Sequence, residues 1–183
     1  MATAKTGSFY LTETVTLVST LTDGQRAQGT IDLGAYVDVA NGQAVAIESV
    51  DFIFQDSSGL GSAALDLVDA SGALGVQLTD LNPGSAFVRA DDHSLIASAS
   101  MNIDEPNNVV SHAADMYPDN FGPTALSEAF MVVNDSLYLV AGPDSCGIGA
   151  NDVLVTARIK ARVAKLSNKD FMAIAIQSTA SDN

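Results

Sequence analysis

Few of the side chains that commonly carry chemistry occur in this chain. Its single cysteine, Cys146, excludes an intrachain disulfide, so stability must come from packing. Its two histidines, His93 and His112, lie in separate segments and lack the paired spacing of a cupin metal site. Tryptophan is absent and only four tyrosines occur, widely spread, so a sugar-binding sandwich would lack its usual aromatic platform. The nucleophile-elbow and P-loop patterns are missing. The glycines of "SSGLGS" have no strand-to-helix context in which to bind phosphate. "GPDSCGIGAND" reads as a Gly-rich turn between strands, with Cys146 as a small residue, buried or semi-exposed. Neither an enzyme nor a cofactor is expected.

Apolar runs are short as well. Pieces such as "AFMVV" and "FMAIAI" fall far below the roughly 18 residues of a membrane span. The opening "MATAKTGSFYLTET" has no apolar signal core, and classical secretion is not expected. Positive charge is the scarcest feature: 8 Lys and Arg stand against 22 Asp and Glu, a formal net charge of −14. A nucleic-acid binder shows a basic footprint over the domain, so direct nucleic-acid binding is not expected.

What is present is globular composition, with 47% hydrophobic and 16% charged residues in 183, enough for one domain with a proper core over residues 1–183. Strand patterns start at once. In "SFYLTETVTLVSTL" the odd positions Phe9, Leu11, Val15, Leu17 and Leu21 are apolar, while Thr12, Thr14, Thr16 and Thr20 line the other face. "GTIDLGAYVDV" repeats the device with Ile31, Leu33, Val37 and Val39. In "QAVAIESVDFIFQD" the apolar set is odd at Val45 and Ile47 but even at Val50, Phe52 and Phe54, a change of phase that predicts a bulge near Glu48 and Ser49.

Further strands are predicted at "SAALDLVD", "ALGVQLTD", "HSLIASASMNI", "AFMVVNDSLYLVAG" and "DFMAIAIQST". Residues 104–128, with three prolines, read as a long connecting loop that holds a short helix around "VVSHAADM". Eight or nine short strands with no sustained amphipathic helix predict an all-β sandwich or jelly roll.

The stretch "VLVTARIKARVAKLSNK", residues 153–169, gathers Arg158, Lys160, Arg162, Lys165 and Lys169, five of the eight basic residues. Val153, Val155, Ala157, Ile159, Ala161 and Val163 alternate with Leu154, Thr156, Arg158, Lys160 and Arg162, which predicts a strand with one buried face and three stacked cations on the other. Helical spacing of Arg158, Arg162, Lys165 and Lys169 is the rival reading, and the six alternations favour the strand. Lys165 and Lys169 extend the cationic stripe. The five residues together are the candidate subunit interface. "DDH" at 91–93 offers metal-ligand types but reads as a solvated loop end. "DEP", Asp66 and Asp69 do not match an EF-hand loop and read as a solvated acidic face.

An all-β chain of this length, with no catalytic set, a Thr-lined first strand and a long connection before its last strands, resembles a single-jelly-roll viral capsid protein. With its acidity and scarcity of lysine, it resembles the small major capsid protein of the tailless, icosahedral, internal-membrane viruses of halophilic archaea, the sphaerolipovirus type. The resemblance covers the whole chain and implies a single jelly-roll β-sandwich of about eight strands. It also implies a structural virion protein: a major capsid subunit located in an icosahedral shell. The implied partners are copies of itself, a second related capsid protein and an underlying viral membrane, with no cofactor. The acidic share, 22 of 183 residues, is modest for an extreme halophile and fits a marine or moderately saline setting as well. The alternative is a soluble β-sandwich module that binds carbohydrate or calcium.

Overall fold

The computed structural model describes residues 2–61, 63–114 and 129–179. Ten strands and one helix occur among them. They are β1 (Thr3–Ala4), β2 (Phe9–Leu17), β3 (Ala27–Asp32), β4 (Gln43–Asp56), β5 (Gly72–Thr79), β6 (Leu95–Asp104), β7 (Val109–Ala114), β8 (Phe130–Val132), β9 (Ser136–Asp144), β10 (Val153–Lys165) and α1 (Asn168–Thr179). The antiparallel pairings nest inside one another. Residues 9–17 pair with 153–161, 27–32 with 136–141, 45–47 with 130–132, and 72–79 with 95–103. The chain is thus one long two-stranded ribbon, folded so that successive rungs fall alternately into two sheets. In the first sheet β10 carries β2 and β1 along one edge and β4 along the other, with β8 beyond; the second runs β3-β9-β5-β6-β7. This connectivity is that of a jelly roll.

The two sheets bury a common core. Val15 and Leu17 of β2, Val45, Ile47, Val50 and Phe54 of β4, Leu74, Val76 and Leu78 of β5, and Val153, Val155 and Ile159 of β10 all lie in it. The odd-numbered positions of β10 are buried from Val153 to Val163, as the alternation requires. Glu13 is the polar exception on the inward face of β2. A Cβ on Gly29 of β3 would come within 2.6 Å of the Glu13 Oε1, so the glycine makes room for the carboxyl. Burial there raises the Glu13 pKa.

The predicted bulge is present. Lys160 pairs with Ser49 and Ala161 with Ile47, leaving Glu48 as the extra residue of β4. Four other expectations are corrected. "SAALDLVD" holds a 3-10 turn at Ala64–Asp66 in place of a strand, because its backbone donors are spent locally: the Asp66 N–H donates to the Ala63 carbonyl at 3.0 Å and the Leu67 N–H to the Ala64 carbonyl at 3.3 Å. "VVSHAADM" is not helical as far as it is described: β7 pairs with β6 through a tight turn in which the Asn108 N–H donates to the Glu105 carbonyl and Asn108 takes φ 51°. Its residues 115 and 116, like the rest of the predicted loop up to 128, lie outside the described residues. β3 stops at Asp32, whose carboxylate accepts the Gly34 N–H at 2.7 Å and turns the chain, so Val39 is left exposed.

The fourth correction is "DFMAIAIQST", which forms α1 in place of a strand. Ser167 Oγ accepts the Asp170 N–H at 3.2 Å, and the Ser167 carbonyl accepts the Phe171 N–H at 2.9 Å. Ser-x-x-Asp before an apolar run is a capping signal, and it outweighs a period that Phe, Met, Ala and Ile leave ambiguous. Phe171, Ile174 and Ala175, at helical spacing, pack with Ala44 and Met131 and so cover one end of the outward face of the first sheet.

The register of β10 makes its core positions stringent. Ile159→Asp would place an unpaired carboxylate between the sheets and cost about 4 kcal/mol or more, whereas Ile159→Val should cost about 1 kcal/mol. Thermal unfolding followed by circular dichroism should show a cooperative transition close to that of the native chain for the valine variant and none near it for the aspartate variant.

Candidate functional site

Because β10 alternates, its even-numbered side chains leave the core and meet those of β2 and β4 on the outward face. Thr156 stands between Thr14 and Ile53, Arg158 between Thr12 and Asp51, and Lys160 between Tyr10 and Ser49. Thr14 and Thr156 share a hydroxyl hydrogen bond of 2.8 Å. The Arg158 guanidinium lies 5.2 Å from the centre of the Tyr10 ring, a cation–π contact at an exposed position. Tyr10, Thr12, Thr14 and Thr16 are all exposed along the same strand. This threonine-lined patch with cations is unlike the acidic remainder of the chain.

The bulge changes the fate of the other two cations. Pushed out of register, Glu48 turns its carboxylate onto the outward face, yet it is only 2% exposed. Ser8 Oγ lies 3.1 and 3.0 Å from its two oxygens and donates to them, and the Lys160 ammonium lies 3.2 Å away. The Arg162 guanidinium bonds the same carboxylate through Nε and Nη2. Two cations and a hydroxyl therefore close over one buried anion. A buried ion pair that loses one partner leaves an uncompensated charge, so this cluster is a structural lock between β4, β10 and the segment before β2.

The five predicted interface residues are thus not equivalent. Arg158, Lys160 and Arg162 share one face as the alternation predicts, but Lys160 and Arg162 are engaged inside the chain. Lys165 has odd parity on an unbroken β10 and so projects from the opposite side of the strand, exposed where the sandwich ends. Lys169 is exposed in the first turn of α1. The stripe therefore divides into an internal pair, an exposed arginine on a threonine face, and two lysines elsewhere. Glu48 and Ser8 are absent from any prediction of a site. The signal for Glu48 was the bulge itself, an acidic residue at a change of phase opposite three cations.

The other candidates resolve in the same way. Cys146 is buried and its thiol contacts the Ala73 carbonyl at 3.6 Å; burial raises its pKa, and the nearby Asp69 and Asp144 charges add to this, so the nucleophilic thiolate is disfavoured. Asp69 Oδ1 accepts the Gly147 N–H and holds the turn before β10. Of "DDH", Asp91 is exposed beside Arg89 at 3.1 Å, while Asp92 and His93 line a cleft with Asp80, a residue that sequence reasoning did not single out. Among the described residues no three His, Cys, Asp or Glu side chains converge to hold a metal.

No family model matches the chain, and no curated protein matches it. Solved structures do. VP1 of Merkel cell polyomavirus, as an unassembled pentamer, is 9% identical over 87% of this chain and 98% of that one, with a TM-score of 0.40. VP1 of the trichodysplasia spinulosa-associated polyomavirus, in complex with sialylated glycooligomers, is 8% identical over 86% of this chain and 95% of that one, at 0.39. A chain of turnip yellow mosaic virus is 7% identical over 90% of this chain and 86% of that one, at 0.33. At such scores the fold is assigned from the strand order and not from these likenesses.

The lock and the exposed cation should separate cleanly on substitution. Glu48→Ala would remove the carboxylate that Lys160 and Arg162 share and should lower stability by about 3 kcal/mol. Arg158→Ala should change it by less than about 1 kcal/mol. Urea unfolding of both variants at low and high salt would check this, with salt reducing the loss in Glu48→Ala by screening the exposed portions of the two cations.

Proposed function

We propose that the chain is a structural virion protein: a single-domain jelly-roll capsid subunit that packs against copies of itself to tile an icosahedral shell. The observation that carries this reading is the nested ribbon, whose architecture serves chiefly capsid proteins, lectins and cupins. A cupin-type centre needs converging ligands, and His93 and His112 stand on different elements, the loop before β6 and strand β7. A lectin platform of stacked aromatics fits poorly with a chain that has no tryptophan. A wall subunit needs neither. It needs a rigid sandwich and faces that meet other subunits, and the threonine face with Arg158 and Tyr10 is such a face on a chain of net charge −14.

The finer assignment follows the resemblance: an internal-membrane virus of a saline host, with a second related capsid protein in each capsomer and a membrane beneath the shell. The charge distribution supports a saline setting. At about 1 M salt the Debye length falls to roughly 3 Å, so strongly acidic subunits can pack side by side with little repulsion. Arg158 then faces acidic side chains of a neighbour, and Lys165 and Lys169 add contacts at the end of the sandwich.

Electron microscopy and sedimentation of the purified chain across a salt series test this directly. Capsomers or shells are expected at high salt and should dissociate on dialysis to low salt. Arg158→Glu, which spares the internal lock, should shift dissociation to higher salt. A monomer at every salt concentration would eliminate the shell reading, and unchanged salt tolerance of the variant would remove Arg158 from the interface.

A further inference from the structure

The loop that joins β5 to β6 is closed by residues at its two ends. The Asp80 N–H donates to the Ser94 carbonyl at 3.0 Å, and the Ser94 N–H donates to Asp92 Oδ1 at 2.8 Å. This arrangement sets two aspartates and His93 along a cleft of about 400 Å³. Phe130 of β8 and Ile174 and Gln177 of α1 also line it. The cleft therefore lies where the C-terminal helix, the edge of the first sheet and a loop of the second sheet come together.

Asp80 is the unusual member. It is 2% exposed. The Asn134 side-chain amide donates to its backbone carbonyl at 3.0 Å and to Oδ2 at 3.3 Å. Oδ1 is buried with no hydrogen-bond partner among the described residues. Burial raises its pKa to about 6, and the Asp92 charge contributes in the same direction. At neutral pH the carboxyl is still mostly ionised. A buried anion with a bare oxygen is costly unless a cation meets it, and among the described residues no lysine or arginine lines the cleft.

We propose that this cleft binds a hard divalent cation, Ca2+ or Mg2+, held by Asp80 Oδ1 and the Asp92 carboxylate and completed by water. The donor set fits that class. Because no three His, Cys, Asp or Glu side chains converge among the described residues, a closed zinc-type cage is not available. Two carboxylates with waters match the coordination of Mg2+, and Ca2+ reaches its six to eight oxygens with waters and carbonyls. The cation would bridge the loop between β5 and β6 to its surroundings under α1 and so fasten the helix end of the sandwich. The site is independent of the capsid reading.

Protons should compete with the cation. Among the described residues, the titratable groups that line the cleft with Asp80 are Asp92 and His93 of its own loop, while the neighbouring β8 and α1 contribute Phe130, Met131, Ile174 and Gln177, none of which titrates. Because the folded pKa of Asp80 lies above its unfolded value, its ionisation opposes folding. This penalty is absent below about pH 4 and grows as pH rises through 6. A bound cation removes the penalty where it is largest, at neutral pH.

The test is calorimetric titration and thermal unfolding of the full chain at pH 7.5 and constant ionic strength, with CaCl2, with MgCl2, and with EDTA as baseline. At least one of the two metals is expected to bind at one site per chain and to raise the melting temperature by about 5 °C at saturation, an effect lost at pH 5. Asp80→Asn should abolish that response while melting above the native chain in EDTA, since it removes the unpaired buried charge. Asp51→Asn, the same change of charge on the outward face of the first sheet, should keep the response. No response of the native chain to millimolar Ca2+ or Mg2+ overturns the proposal. So does a response that survives in Asp80→Asn, which would show general counter-ion screening of an acidic surface.

Discussion

The register of β10 is the constraint on which the rest of the structure depends. This strand is paired on both edges, to β2 and β1 on one side and to β4 on the other. A slip of one residue would exchange its two faces, bringing Arg158, Lys160 and Arg162 between the sheets and Val155, Ile159 and Val163 into water. Here both the apolar and the charged pattern select the same alignment. The outermost rung of the ribbon is thereby fixed, and the inner rungs follow from it.

A fixed β10 also determines what a single extra residue in β4 can do. With Glu48 inserted, the residues on either side keep their inward positions, Ile47 below the bulge and Val50 above it. The cost is one carboxylate on the outward face with little water around it. Ser8, Lys160 and Arg162 offset that cost together. The bulge therefore absorbs two of the few cations in the chain for internal use and leaves Arg158, stacked on Tyr10, to represent positive charge on the threonine face. Any meeting of subunits there is governed by one arginine, a set of hydroxyls and the screening of a general negative charge, and not by a broad basic stripe.

Beside this lock, at the same end of the first sheet, α1 covers Ala44 and Met131, and the space it leaves against the loop between β5 and β6 is lined by carboxylates. Its own outward side chains Met172 and Ile176 remain exposed. Two buried anions, Glu48 of the first sheet and Asp80 after β5 of the second, are thus treated in opposite ways. Glu48 lies beneath paired cations, and Asp80 keeps one oxygen bare. The first is a finished interaction, and the second is an incomplete one.

Local pattern was enough for much of the fold. The alternation of "VLVTARIKARV" fixed a strand and its buried face, the threonines of β2 fell on the outside as read, and the change of phase in "QAVAIESVDFIF" located the bulge to the residue pair Glu48 and Ser49. Period-two alternation with β-branched residues is set by backbone geometry, so it can be read without knowing any partner. Where several apolar residues adjoin, as in "SAALDLVD" and "DFMAIAIQST", the period is ambiguous, and a turn or a serine cap decided the outcome. Tertiary structure alone decided which cations remain available, because the engagement of Lys160 and Arg162 depends on a carboxylate more than 100 residues away in the chain. It also decided that Asp80 and Asp92 would share a cleft with a helix from the far end of the chain. Charge and burial are properties of what surrounds a side chain in space, and in a nested ribbon those surroundings come from both ends of the sequence.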